Sequence, residues 1–340
     1  MSEGNEVVLQ APPGAGKTTI VPLELLDQPW LQGRKILVLE PRRMAARAAA
    51  SRMAQLLGDA VGQTVGYRIR MDTCVSDNTR IEVITEGILT QQLQRDPGLE
   101  DVGLVIFDEF HERNLDADLC LALALHGREV FREGPALKLL VMSATLAGEE
   151  VSKLLGNAPI VTSSGRQFPV ETHYCEAHQL RHSIVQPTIN VVLRVLKEQA
   201  GSILVFLPGQ REISSVARGL ADALEHSAEP LQISPLYGGL SLERQLQALL
   251  PAPDGKRKIV LSTNLAETSL TIEGITVVVD SGLVREAAFD PATGMTRLAT
   301  RRISRASAEQ RKGRAGRQGP GRCYRLWSEQ QHERLVAHAL

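Results

Sequence analysis

A short apolar run, Val7–Leu9, leads through Gln10 into Ala11-Pro12-Pro13-Gly14-Ala15-Gly16-Lys17-Thr18-Thr19, and the stretch after it is compatible with a helix. No other feature limits the fold so strongly. A strand that turns through glycines into a helix lets its backbone N–H groups converge on phosphate oxygens at the helix N-terminus. Gly14, Ala15 and Gly16 form that cradle. Lys17 supplies charge to the β- and γ-phosphates, the Thr18 hydroxyl can ligate Mg²⁺, and Thr19 completes the loop. Ala11 stands where a first glycine is usual in such loops. Pro22 falls early in the expected helix, where it costs least.

A second apolar run, Leu104–Phe107, ends in Asp108-Glu109-Phe110-His111-Glu112-Arg113. Such a strand delivers two carboxylates at its C-terminal end. Asp108 is placed to hold Mg²⁺ through water, and Glu109 to orient and polarise an attacking water. Phosphoryl transfer needs in-line positioning more than covalent chemistry. Beside this box, His111 reads as a link from the nucleotide site to the rest of the molecule.

Short buried runs alternate with helix-like stretches along the chain. Ile36–Leu39, Ile81–Ile84 and Leu139–Met142 read as further strands, and Met44–Leu57 and Ala117–His126 as helices. The pattern pauses near 163–169 and restarts. Helices are expected at Ile184–Glu198 and Glu212–Glu225, strands at Ser202–Phe206, Lys258–Ser262 and Val277–Asp280. The alternation predicts an α/β fold with parallel sheets flanked by helices. ILVLEPR at 36–42 and ILVFLPG at 203–209 are both apolar strands opening into a proline loop, which suits two related domains, 1–165 and 166–340. The 340 residues allow two domains, and 43% hydrophobic content excludes global disorder. No apolar run reaches membrane-spanning length. Four scattered cysteines read as free thiols in a reducing, cytoplasmic compartment. Net charge is only −1, but from Arg285 to Arg325 eleven Lys and Arg face three acids. That stretch is either a phosphate-binding surface or a solvated basic face.

Gly14–Thr19, Asp108–His111, Ser143-Ala144-Thr145 and Gln310–Arg317 occur in the order of the superfamily 2 helicases. The sequence resembles their DEAH/RHA branch, most closely the bacterial HrpB-type group, which carries the Asp-Glu-Phe-His variant seen here. The match covers nearly the whole chain. It implies two tandem RecA-like P-loop NTPase domains with ATP, or another nucleoside triphosphate, and Mg²⁺ held where they meet. It also implies a monomeric core acting on single-stranded or partly duplex nucleic acid, RNA favoured over DNA. Arg42 and Arg43 open a helix and resemble a backbone-gripping motif, although one of them can instead pack on the adenine. Thr85 and Gly87 resemble a second strand contact. Thr263, Asn264 and Thr271 resemble a third, whose hydroxyls and amide suit phosphate and ribose. Ser143 and Thr145 resemble the motif that, with His111, couples hydrolysis to domain movement. In Gln310–Arg317 the resemblance makes Gln310 a water-placing residue and Arg314 and Arg317 γ-phosphate fingers; three apart, the two arginines share a helical face. Val284–Thr300 resembles a strand-wedging hairpin. The family normally continues into winged-helix and helical-bundle regions that this sequence lacks, so a motor core is expected, without processive unwinding. Two other readings stay open. A P-loop ATPase or kinase acting on a small molecule or protein would not need the Gln310–Arg317 segment. A binding module using ATP only as a conformational ligand would not need Glu109.

Overall fold

A computed structural model of the chain describes all residues except 2–3, 13–15, 113, 144–147, 164–167, 226–229, 254–255, 268–271 and 338–340. Two compact units emerge, Met1–Gly165 and Arg166–Leu340.

The first unit contains β1 (Glu6–Gln10), α1 (Lys17–Leu25), β2 (Lys35–Leu39), α2 (Arg43–Leu57), β3 (Val65–Ile69), β4 (Asp72–Cys74) and β5 (Ile81–Ile84). It continues with α3 (Glu86–Arg95), β6 (Val102–Phe107), α4 (Leu115–Val130), β7 (Lys138–Ser143), α5 (Gly148–Leu154) and β8 (Ile160–Thr162). The strands form one sheet in the order β4-β3-β5-β2-β6-β7-β1-β8. Only the β3–β4 pairing is antiparallel. All six residues of both β6 and β7 are buried, the continuous apolar reading of strands covered on both faces. Alternation sorts them: Val8, Leu37, Leu39, Val105 and Phe107 pack in a cluster with Leu89, Leu93 and Leu121 of α3 and α4. Val7, Ile36, Val38, Leu104 and Ile106 pack in a second cluster with Ala46, Ala50 and Met53 of α2. Seven alanines and methionines of α2 are buried, and the helix stops at Gly58, whose φ of 72° suits glycine and whose N–H bonds the Ala54 and Gln55 carbonyls.

The second unit contains β9 (Val170–Tyr174), α6 (Val185–Glu198), β10 (Ser202–Phe206), α7 (Gln210–Leu224), β11 (Leu231–Leu236), α8 (Leu242–Leu249), β12 (Arg257–Ser262) and β13 (Ile275–Asp280). β14 (Leu283–Asp290), β15 (Met295–Arg302), α9 (Arg305–Gly313), β16 (Gly321–Arg325) and α10 (Glu329–Glu333) follow. Its parallel sheet runs β11-β12-β10-β13-β16-β9, and β14–β15 make a separate antiparallel hairpin. Ile203, Val205, Val277 and Val279 pack on Val192, Val195, Val216 and Leu220 of α6 and α7. Consecutive β12 residues point to opposite faces and cap different helices. Arg257 donates to the carbonyls of Leu196 and Gln199, and Lys258 to those of Ala248 and Leu250. Each cation thus closes a helix C-terminus that favours positive charge.

Candidate functional site

In the first unit every described candidate residue sits at the C-terminal end of a parallel strand, where open α/β sheets place their ligands. Gly16–Thr19 follow β1. Arg42 and Arg43 follow β2, Thr85 and Gly87 follow β5, Asp108 to His111 follow β6, and Ser143 ends β7. Gly14 and Ala15 lie outside the described residues, as does Thr145. Gly16 has a φ of 77°, reverses the chain, and accepts the Thr19 and Ile20 N–H groups as α1 begins. Ala11 N–H donates to the Ser143 carbonyl at 3.1 Å, which ties the start of the loop to the end of β7.

Two contacts join the loop to the acidic box. The Thr18 hydroxyl donates to the Asp108 carboxylate. Lys17 Nζ lies 3.5 Å from Glu109 Oε2, and both side chains are buried. The other side of Glu109 Oε2 is occupied by His111 Nδ1 at 3.4 Å. Glu109 has a φ of 50°, a left-handed conformation that costs a side-chain-bearing residue about 1–2 kcal/mol. Asp108 Oδ1 accepts the Glu109 N–H at 2.8 Å and helps hold that turn. The arrangement fits Mg²⁺: a hydroxyl and a carboxylate already meet where the ion is needed. Among the described residues no three His, Cys, Asp or Glu converge on one metal position. That suits an ion which keeps most of its water shell and takes one or two protein ligands beside phosphates.

One buried carboxylate was missed by reading motifs alone. Glu40 follows β2, fully enclosed. Its N–H bonds the Ile84 carbonyl, and the Asp108 N–H bonds the Leu39 carbonyl, so the ladder runs one rung past both strands and sets Glu40 beside Asp108. Burial, then the charges of Asp108, Glu109 and Glu112, push the Glu40 pKa well up. Among the described residues no donor reaches either oxygen. The available signal was a charged residue ending an apolar strand just before Pro41.

Burial first, then the Glu109 charge, pushes the Asp108 carboxyl up to about 6, against the opposing pull of Lys17 and Thr18. The folded metal-free protein therefore holds this proton more tightly than the unfolded chain, where the value is about 3.9. The resulting stability is full below that unfolded value and is lost as pH rises through about 6. Asp108→Asn is expected to raise the melting temperature of metal-free protein at pH 8 by roughly 3–8 °C, with the gain vanishing near pH 4. Calorimetry at both pH values tests this; an equal gain at both would refute the cause given.

Arg42 Nη2 lies 3.2 Å from Glu112 Oε2, so the segment after β2 and the acidic box are joined. Arg43 and Gly87 are exposed and Thr85 is buried at the start of α3.

In the second unit, Thr263 accepts the Leu265 N–H and opens a short 3-10 turn with Asn264 exposed; Thr271 lies outside the described residues. Gln310 sits on α9, which ends at Gly313. Arg314–Gly316 form a 3-10 turn rather than more α-helix. Residues three apart eclipse in that geometry, so Arg314 and Arg317 still share a side and line a small crevice with Leu204, Ala266, Ile272 and Ile275. The basic stretch divides. Arg297 stands exposed on the hairpin, whereas Arg311, Arg314 and Arg325 are buried within the unit. Arg311 donates to Glu267 at 2.8 Å and to Asp280 at 2.9 Å, with its guanidinium 4.9 Å from the Phe206 ring centre. Arg314 bonds the Glu267 carbonyl. Arg325 pairs with Glu309 at 2.7 Å. Arg311 and Arg314 therefore brace Glu267 against α9 and the turn after it, and Arg325 ties β16 to α9. Reading charge without its partners missed Arg311 and Glu267.

Residues 1–154 match the family model of the DEAD/DEAH box helicases, and residues 187–319 that of the helicase conserved C-terminal domain. The ATP-dependent RNA helicase HrpB of Escherichia coli (strain K12) is 52% identical over 336 residues, which is 98% of this chain and 40% of that protein. A crystal structure of the Escherichia coli DEAH/RHA helicase HrpB superposes with a TM-score of 0.90 at 50% identity, covering 99% of this chain and 42% of that one. A second, of the E. coli DExH-box NTPase HrpB, gives 0.83 at 50% identity over 99% of this chain and 41% of its own. The chain thus spans about two-fifths of the length of these relatives.

Proposed function

We propose, from the premise that the chain belongs to the DEAD/DEAH box helicase family and folds as two tandem RecA-like domains, that it hydrolyses ATP to move along single-stranded nucleic acid, RNA in preference to DNA. The observation that carries this reading is the meeting of Thr18 with Asp108 and of Lys17 with Glu109. A phosphate loop and an acidic box in contact can bind a triphosphate and cleave it.

In this reading the loop residues Gly14 to Thr19 cradle the phosphates. Thr18 and Asp108 hold Mg²⁺, which when bound neutralises charge on the β- and γ-oxygens. Lys17 and His111 fix the Glu109 carboxylate, and Glu109 orients the attacking water and takes its proton. Gln310, Arg314 and Arg317 serve the same reaction, Gln310 on the water and the arginines on charge that develops at the γ-phosphate. Arg42, Arg43, Thr85, Gly87, Thr263, Asn264 and Thr271 grip the strand backbone. The Arg42–Glu112 pair, together with Ser143 and Thr145, relays the state of the nucleotide to that grip. Among the described residues no helix is long and apolar enough to cross a membrane. The four free cysteines suit a reducing compartment such as the cytoplasm, and the core is read as a monomer.

Backbone-directed contacts make the reading testable. ATPase activity is expected to rise on adding single-stranded RNA, and to rise less with DNA of the same length. RNA affinity measured with a non-hydrolysable analogue should fall with salt at about −0.7 per phosphate neutralised, or roughly −3 for four or five contacts. ATPase indifferent to either polymer would point instead to a P-loop ATPase with another substrate.

A further inference from the structure

Glu40 has no place in the reaction described so far. It is a carboxylate with no exposed surface, and burying such a group without a donor carries a heavy cost. Other buried acids of this protein have partners: Glu82 meets Lys35 and Arg68, Asp280 meets Arg311, and Glu86 accepts from Asn114. Among the described residues the charges that act on Glu40 are the carboxylates of Asp108, Glu109 and Glu112, and neither of its oxygens finds a donor.

The placement is set by the backbone. Glu40 follows Val38 on the strand face that carries Ile36 and Val38, as Asp108 follows Ile106. The two acids are neighbours across β2 and β6, one rung beyond the paired strands. Asp108 in turn receives the Thr18 hydroxyl. A line of oxygens therefore runs from the phosphate loop through Asp108 to Glu40. What is absent from it is a source of protons that bind oxygen. A hydrated divalent cation supplies that: its water ligands are strong donors, and Mg²⁺ retains several of them in protein sites.

We propose that Glu40 is an outer-sphere member of the Mg²⁺ site, accepting hydrogen bonds from water bound to the ion and thereby strengthening metal binding and fixing Asp108. The proposal rests on the nucleotide site assigned above. It makes Glu40 a positioning residue that acts through the ion's water and through Asp108. It also explains why the end of β2 carries a carboxylate beside three others. In the loaded protein the ion's charge offsets their repulsion, and in the empty protein the repulsion stands.

The test uses Mn²⁺ in place of Mg²⁺, with ADP, and reads free Mn²⁺ by electron paramagnetic resonance. Glu40→Gln keeps the shape and removes the charge. Loss of such outer-shell support typically weakens metal affinity about 10- to 100-fold, so Mn²⁺ should bind the Glu40→Gln–ADP complex at least about tenfold more weakly than the parent complex. ADP affinity in EDTA should be unchanged, and the metal-free variant should melt higher than the parent. Glu40→Asp, which retains the charge but shortens the reach, is the second variant if the first does not fold, and should also lose Mn²⁺ affinity. Equal Mn²⁺ affinity in parent and variant overturns the proposal. A parent that binds no Mn²⁺ with ADP overturns the nucleotide-site assignment itself, a result recognisable without any variant.

Discussion

Glu109→Gln is expected to lower ATP turnover about 10²- to 10⁴-fold, the usual worth of a positioned general base, while ATP affinity stays close to that of the parent. The side chain is held from two sides, by Lys17 at 3.5 Å and His111 at 3.4 Å, on a backbone with a φ of 50°. So fixed, the carboxylate can hold one water in line and receive its proton. The amide keeps the size but cannot take the proton. An interaction made only in the transition state lowers kcat without weakening ground-state binding. A structural role predicts something different: a lower melting temperature, with the folded fraction hydrolysing ATP at nearly the parent rate. Single-turnover hydrolysis on folded protein separates these. A variant within about fivefold of the parent would remove Glu109 from the mechanism.

Arg317→Ala is expected to act more strongly, about 10³- to 10⁵-fold on turnover, the range for arginines that meet charge developing on a transferred phosphoryl group. Its neighbours inform the expectation. Arg311 is consumed by Glu267 and Asp280, and Arg314 bonds the Glu267 carbonyl. Arg317 is partly exposed at the end of the 3-10 turn. If it only braces the crevice it lines with Ile272 and Ile275, the variant should melt earlier and turn over normally per folded molecule. Nucleotide affinity by calorimetry, beside turnover and melting, gives three readouts. A normal rate with intact folding would sink the finger assignment.

The strands that were legible in the sequence share one property: they lie inside their sheets, and are therefore mostly apolar. Ile81–Ile84 and Ser202–Phe206 match β5 and β10 residue for residue, and Leu104–Phe107 falls two residues short of β6. What escaped notice was short, polar or interrupted. β4 and β8 have three residues each. β11 contains Pro235, β9 (VETHY) is polar and drew no assignment, and β16 (GRCYR) read as part of a basic stretch. Their place comes from pairing with each other across about 150 residues, which no local pattern carries. The candidate site divides in the same way. Lys17, Thr18, Asp108 and Glu109 announce themselves because their spacing is the chemistry. Glu40 and Arg311 matter through partners distant in sequence: Asp108 for one, Glu267 and Asp280 for the other. Strand register sets those partnerships, and register is a property of the sheet.

The position of β1 between β7 and β8 has a consequence for how this protein is made. Every strand that β1 pairs with lies far downstream: Glu6 to Gln10 align with Leu139 to Ser143, and Val8 to Gln10 with Ile160 to Thr162. On a ribosome adding 5–20 residues per second, Glu6 waits roughly 7 to 27 s before Leu139 exists. During that interval β2, β3, β5 and β6 can already pair with one another. The loop that follows β1 is therefore made well before the strands that lock it into place. A nascent chain or proteolytic fragment that stops before Lys138 carries the complete loop sequence with no strand to hold it.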